Sequence, residues 1–145
     1  MNELRAASEW LFATLTEDAT VASLVSARVY EGQAPQGAAF PLLVFAFVAG
    51  QDRNAYDGSD RLAARPLYLL KAVCQGGSFE NADIIAAAVD EALKNASGTR
   101  IIASVEYRLS CLGREQPLRL LEAAPGGKQH RTVGGTYRLW CSAVP

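Results

Sequence analysis

One histidine, one methionine and three cysteines are all that this 145-residue chain holds of those residue types. Each scarcity closes off a class of chemistry. A Ser-His-Asp or Cys-His centre would have to use His130, which stands in Gly127-Lys128-Gln129-His130-Arg131. Its cationic neighbours disfavour the imidazolium and do nothing to orient the ring, and no GxSxG elbow supplies a nucleophile. Cys74, Cys111 and Cys141 are odd in number and widely spaced, without a CxxC pair. That pattern argues against a disulfide scaffold and against a zinc site, and predicts small core hydrophobes. Long apolar runs are also missing. The longest, residues 40–49, falls short of the about 20 residues that cross a bilayer, so no membrane partner is expected. The first residues open an amphipathic pattern rather than a signal peptide, so folding in a reducing cytoplasm is expected. Charge of one sign is lacking too. Fourteen Lys and Arg stand against fifteen Asp and Glu, for a net charge of −1. Without a basic face, specific nucleic-acid binding is not expected.

Groups that bind metals or phosphate are just as thin. Asp52, Asp57 and Asp60 lie close together but lack calcium-loop spacing and are interleaved with Arg53 and Arg61, which predicts solvated ion pairs. Gly126-Gly127-Lys128 lacks the upstream glycine, the following Ser or Thr and the helix of a phosphate loop. Residues 128–131 make a basic cluster able to touch an acidic partner but too small to argue for DNA. Glu106 and Glu115 have no reason to converge. No metal, no cofactor and no enzyme activity are expected.

What the sequence does hold is patterned hydrophobicity. Half of its residues are apolar, enough for one core, and 145 residues fit one domain spanning 1–145. The charged share, 20%, lies slightly below the usual quarter, which hints at surface covered by partners. Leu4, Ala7, Leu11 and Leu15, with Trp10 beside them, predict a helix over about residues 2–15. Asp18 is placed to cap a short second helix through Val21, Leu24 and Val25. Arg28-Val29-Tyr30 is a short strand candidate, followed by a Gly- and Pro-rich loop at 31–39. Residues 42–49 are β-branched and aromatic and predict a strand, as do residues 67–75. The polar connector 51–65 between them, with its Asp57-Gly58 turn signal, suggests a long hairpin. Ser78 is an N-cap candidate for a helix bearing Phe79, Ala82, Ala86, Val89 and Leu93, with Asp90 and Lys94 at ion-pair spacing. Residues 103–111 and 133–143 alternate as half-buried strands. The Pro- and Gly-bearing connector 114–131 joins them, with room for a short strand at 118–121.

The order α-α-β-β-α-β-β predicts an α+β fold, an antiparallel sheet of about four strands with helices packed on one face. The strand at 42–49 is apolar on both sides, and the helices cover only one. Leaving large side chains wet costs roughly 1.5–3 kcal/mol each. A neighbouring subunit is the simplest cover, and the 31–39 or 114–131 loop folding over that face is the alternative.

That order also resembles a known family. A helix carrying Trp10 to Leu15 leads through Asp18-Ala19-Thr20-Val21-Ala22-Ser23-Leu24-Val25 into Arg28-Val29-Tyr30. Phe40-Pro41 then opens an apolar strand, and a connector of about fifteen residues leads to a second strand. The helix at residues 82–93 closes the pattern. This is similar to the tail terminator, or tail completion, family of long-tailed bacteriophages, over about residues 4–95. Ser26-Ala27 stands where such proteins often carry glycine before Arg28, and the 114–131 connector has no family signature.

The resemblance implies a structural virion protein. It would form a homo-oligomer, usually a hexameric ring, on the head-proximal end of the tail tube and end tube growth. Its partners would be the tail tube protein and a neck or head-completion protein, and it would assemble in the host cytoplasm. Candidate subunit or tube contacts are Phe45 and Phe47 on the apolar strand, and Arg53, Tyr56, Asp57, Asp60 and Arg61 on the connector. A neck or head-closure connector is the nearest alternative reading, and a small ligand-binding or enzymatic α/β domain the more distant one.

Overall fold

The computed structural model describes residues 2–55 and 61–145. Helix α1 (Asn2–Glu17) buries Ala6, Ala7, Trp10, Leu11 and Leu15, the stripe that its spacing predicts apart from Leu4, which is partly exposed. Helix α2 (Ala19–Val25) starts at Asp18, whose carboxylate accepts the Val21 amide at 2.9 Å. That bond satisfies one of the amides a helix start leaves open. Helix α3 (Glu80–Leu93) buries Ala82, Ile85, Val89 and Leu93. Ser78 is not its N-cap. Phe79 holds that position, and Ser78 Oγ only approaches the Glu80 amide at 3.4 Å. Asp90, placed by spacing opposite Lys94, accepts instead from Tyr137 Oη at 2.8 Å and ties the helix to the sheet.

The sheet has six strands rather than about four, in the order β1-β2-β3-β6-β5-β4. They are β1 (Val29–Glu31), β2 (Leu42–Asn54), β3 (Arg61–Gln75), β4 (Ser97–Ile102), β5 (Val105–Ala123) and β6 (Gln129–Ala143). All pairings are antiparallel except β1 with β2, which is parallel, so the sheet is mixed. Much of each long connector is strand. The first hairpin is paired from Leu42 with Val73 out to Asn54 with Arg61. The 114–131 segment continues β5 to Ala123, turns through a 3₁₀ element at Pro125–Gly127 and returns as β6.

The three helices lie on one face. Their apolar stripes meet Leu43 and Phe45 of β2, Tyr68, Leu70, Ala72 and Cys74 of β3, Tyr107 and Leu109 of β5, and Tyr137, Leu139 and Cys141 of β6. Ser8 Oγ and Tyr68 Oη, 2.7 Å apart, fasten α1 over β3. Gly98 lets the Trp10 indole lie against β4, because a Cβ there would fall 2.6 Å from Trp10 Nε1.

The opposite face carries a second, smaller cluster. Leu42, Val44 and Val73 are buried under Tyr30, Ala34, Ala38 and Phe40. The 31–40 loop therefore covers this part of the face, where a neighbouring subunit was the first expectation. Gly32 donates to the Phe45 carbonyl at 2.8 Å, and Arg28 Nε to the Pro41 carbonyl at 2.7 Å, which pin the loop at both ends.

Candidate assembly interface

The apolar surface left uncovered marks the candidate contacts. Phe47 is 45% exposed, Val48 51% and Leu62 59%, all in the far half of the β2–β3 hairpin. Leu112 at 53% and Leu121 at 49% lie along β5. Ile101 and Val105 flank the β4–β5 turn, and Phe12 and Ile84 stand exposed on helices. Apolar exposure along paired strands is what interfaces use and what isolated monomers avoid.

The seven contact candidates are placed differently. Phe45 is fully buried, 6.3 Å ring to ring from Tyr68, so it belongs to the core and has no surface to offer a partner. Alternation along β2 put it on one face, but which face the helices take could not be read from a strand apolar on both. Phe47 shares that face, packs edge-on to Tyr68 at 6.0 Å and stays half exposed because it lies at the edge of α1's cover. Tyr56, Asp57 and Asp60 lie outside the described residues. Arg53 is exposed in β2. Arg61 bonds within its own subunit, to Glu3 at 3.0 Å and Asp52 at 3.3 Å. The nearby Glu3 carboxylate, followed by the Asp52 hydrogen bond, raises its pKa further.

Sequence reasoning missed the polar grip at the centre of the sheet. Arg138 makes a two-pronged pair with Glu115, at 2.8 and 3.1 Å, and also donates to the Arg65 carbonyl at 3.0 Å. The Arg138 hydrogen bond holds the Glu115 carboxyl below its usual range. Such forked geometry joins β3, β6 and β5. Only strand register brings these residues together, so no local pattern announces them.

A groove of about 910 Å³ opens between the 32–40 loop and the end of the β5–β6 hairpin, with Leu42, Val44 and Val73 as its floor and Lys71, Glu122, Lys128 and His130 at its rim. His130 packs against Phe40 with the rings tilted at 45° and their centres 4.6 Å apart, and reaches Gln75 at 3.4 Å. Among the described residues, no three of His, Cys, Asp or Glu gather as a metal site. Glu106 and Glu115 stand on β5 on either side of its first register shift, apart from each other. Burial raises the pKa of all three thiols, that of Cys141 to about 12, which opposes the thiolate a nucleophile needs.

Comparison with known proteins fits this picture. The chain is similar to one in a solved structure described as the virion of a native gene transfer agent particle. The identity is 20%, with 97% of each chain covered and a TM-score of 0.62, a likeness of fold. No curated protein matches the chain. The family model described as tail completion protein gp17 matches residues 9–114, from α1 to the middle of β5. This chain therefore belongs to the tail completion protein gp17 family and is a structural protein of the virion tail.

Proposed function

We propose that the chain is a tail terminator. Six copies close into a ring on the head-proximal end of the tail tube, stop its growth and present a joining surface to a neck or head-completion protein. Membership of the tail completion family carries this reading. A tube grows because each added ring exposes the acceptor surface it was itself added to, and such a contact continues indefinitely unless something closes it. A terminator must match that surface on one side and differ on the other. This subunit has unlike sides: helices cover one face of the sheet, and the 31–40 loop with the free half of the sheet makes the other. The hairpin end carrying Phe47, Arg53, Tyr56, Asp57, Asp60 and Arg61 is the proposed contact with neighbours or tube.

Negative-stain microscopy of a lysate from a phage deleted for this gene tests the proposal. Heads unjoined to tails, with tubes that are unstable or too long, are expected. Tubes of normal length lacking only heads would assign the chain to the neck, and normal infectious particles would overturn a structural role.

A further inference from the structure

We infer that copies of this chain join through their sheet edges: the outer edge of β2 in one copy, residues 49–53, pairs antiparallel with the outer edge of β5 in the next, residues 116–123. The inference rests on the ring reading above and names the surface that would build the ring.

Both edges are open. β1 pairs with β2 only as far as Phe45, and among the described residues nothing pairs with the outer side of β2 from Ala46 to Asn54. On the far side of the sheet β4 covers β5 only from Val105 to Ser110, with one more bond from the Cys111 amide to the Ala96 carbonyl. From Leu112 to Ala123 the outer side of β5 is again open among the described residues. A long unpaired edge exposes a row of amides and carbonyls that templates pairing with another chain.

The two edges fit each other in direction. β2 is antiparallel to β3, β3 to β6 and β6 to β5, so β2 and β5 run in opposite senses. Setting β5 of one copy beside β2 of the next therefore continues the antiparallel alternation without turning either copy over. The contact is head to tail, the kind that closes rings.

They also fit in position. The open half of β2 lies toward the Asn54–Arg61 end of the sheet, and the open half of β5 toward its Gln75–His130 end. The short covering strands lie at the opposite ends, β1 beside Leu43–Phe45 and β4 beside residues 105–110. Sliding the second copy along the strands by about six residues, roughly 20 Å, brings the open stretches together. The same slide carries β1 and β4 clear of each other, like the halves of a lap joint. Such a stagger, repeated around a ring, tilts the strands as in a closed barrel.

The side chains agree. Leu121 lies within the β5 stretch, and Phe47 and Val48 on β2 and Leu112 on β5 stand beside the paired stretches; these are the large exposed apolar groups of the two open edges. Within the stretches proposed to pair, each holds one acid and one base, Asp52 with Arg53 and Glu122 with Arg119, so no single-sign barrier keeps them apart. Register shifts bound the regular stretches, at Phe47/Ala49 and Arg53/Asn54 on β2 and at Arg114/Gln116 on β5. Pro117 costs at most one donor, which an edge strand tolerates.

The test uses the full chain with Gln51 replaced by photoreactive p-benzoylphenylalanine, mixed one to one with ¹⁵N-labelled chain of the same kind and irradiated at the concentration where rings appear by microscopy. Mass spectrometry should find cross-links between differently labelled copies from position 51 to the peptides covering 116–123. In parallel, Val48→Lys and Leu121→Lys should each weaken ring formation about tenfold or more while leaving the monomer's circular dichroism and melting unchanged, since both side chains are exposed. Rings whose cross-links join position 51 to itself, to a helix or to the 31–40 loop would overturn edge pairing and leave the ring reading intact. A chain that remains monomeric up to millimolar concentration would overturn both.

Discussion

Gly134 of β6 sits opposite Lys71 of β3, with no room for a side chain. A Cβ at that position would collide with the Leu70 carbonyl and lie 2.8 Å from Lys71 Cα, both rigid backbone. The strands would have to part along a ladder that runs from Ala64 with Cys141 to Gln75 with His130. Gly134→Ala is therefore expected to destabilise the fold by about 2–4 kcal/mol, as overpacking against backbone does. Gly77 is the control. Its φ is not positive and nothing lies within 4 Å of its virtual Cβ, so Gly77→Ala should change stability by less than about 1 kcal/mol. Urea unfolding of the two variants separates these outcomes, and a loss below 1 kcal/mol at Gly134 would mean that the ladder gives way freely. The buried acids of the same sheet set the pH response. Burial pushes the Cys141 thiol from 9.0 up to about 12, and the Tyr68 phenol from 10.0 up to about 12. The folded protein thus keeps protons that the unfolded chain has released. Stability is full below pH 9 and falls as pH rises from 9 through 12. Urea midpoints measured between pH 8 and pH 11 should decline, and Cys141→Ala should flatten the part of the decline that begins near pH 9.

At the scale of elements, the β4–β5 turn carries the clearest local strain. Ala103 and Ser104 both adopt positive φ, 50° and 67°, between the paired Ile102 and Val105. Two left-handed residues in a two-residue hairpin form the turn that Asn-Gly makes without steric cost. Replacing Ala103-Ser104 by Asn-Gly should stabilise the protein by about 0.5–1.5 kcal/mol, read from the urea midpoint. No gain would mean that neighbouring contacts already offset the strain. This turn also explains one limit of legibility. Without glycine or asparagine it gave no turn signal, so β4 was missed and the following strand was begun two residues early. The helices were legible because their apolar spacing and the Asp18 cap are local. The strands of the first hairpin were found but drawn short, since polar residues such as Gln51, Asp52 and Arg65 are as natural on a two-sided exposed hairpin as in a loop. The far half of β5 falls in the 114–131 connector for the same reason, apart from the short strand allowed at 118–121, with Pro117 at an open edge where proline is permitted. The candidate interface was legible only in outline. The apolar strand and the polar hairpin were visible in the sequence, while the open edges depend on which strands pair and how far.

For the whole molecule, the question is what completes a subunit whose sheet stops unpaired on both sides. β6, which pairs with β3 on one side and β5 on the other, lies beyond the 9–114 family match, so the matched part lacks the strand that joins the two halves of the sheet. Stability of the subunit and closure of a ring are then linked by mass action: whatever binds only the folded chain raises its apparent stability with concentration. For six copies dissociating as they unfold, each tenfold rise in protein concentration adds about 1 kcal/mol per subunit. For a chain of this size that is an increase of about 2–4 °C in the thermal midpoint. Scanning calorimetry from about 1 µM to about 1 mM, a range set by the weak-to-moderate affinities of such contacts, should show this climb above the concentration where rings form. Val48→Lys should move its onset upward without lowering the midpoint of the dilute chain. A midpoint that stays flat across the whole range would mean that copies do not associate with one another, and would count against the ring and the edge pairing together.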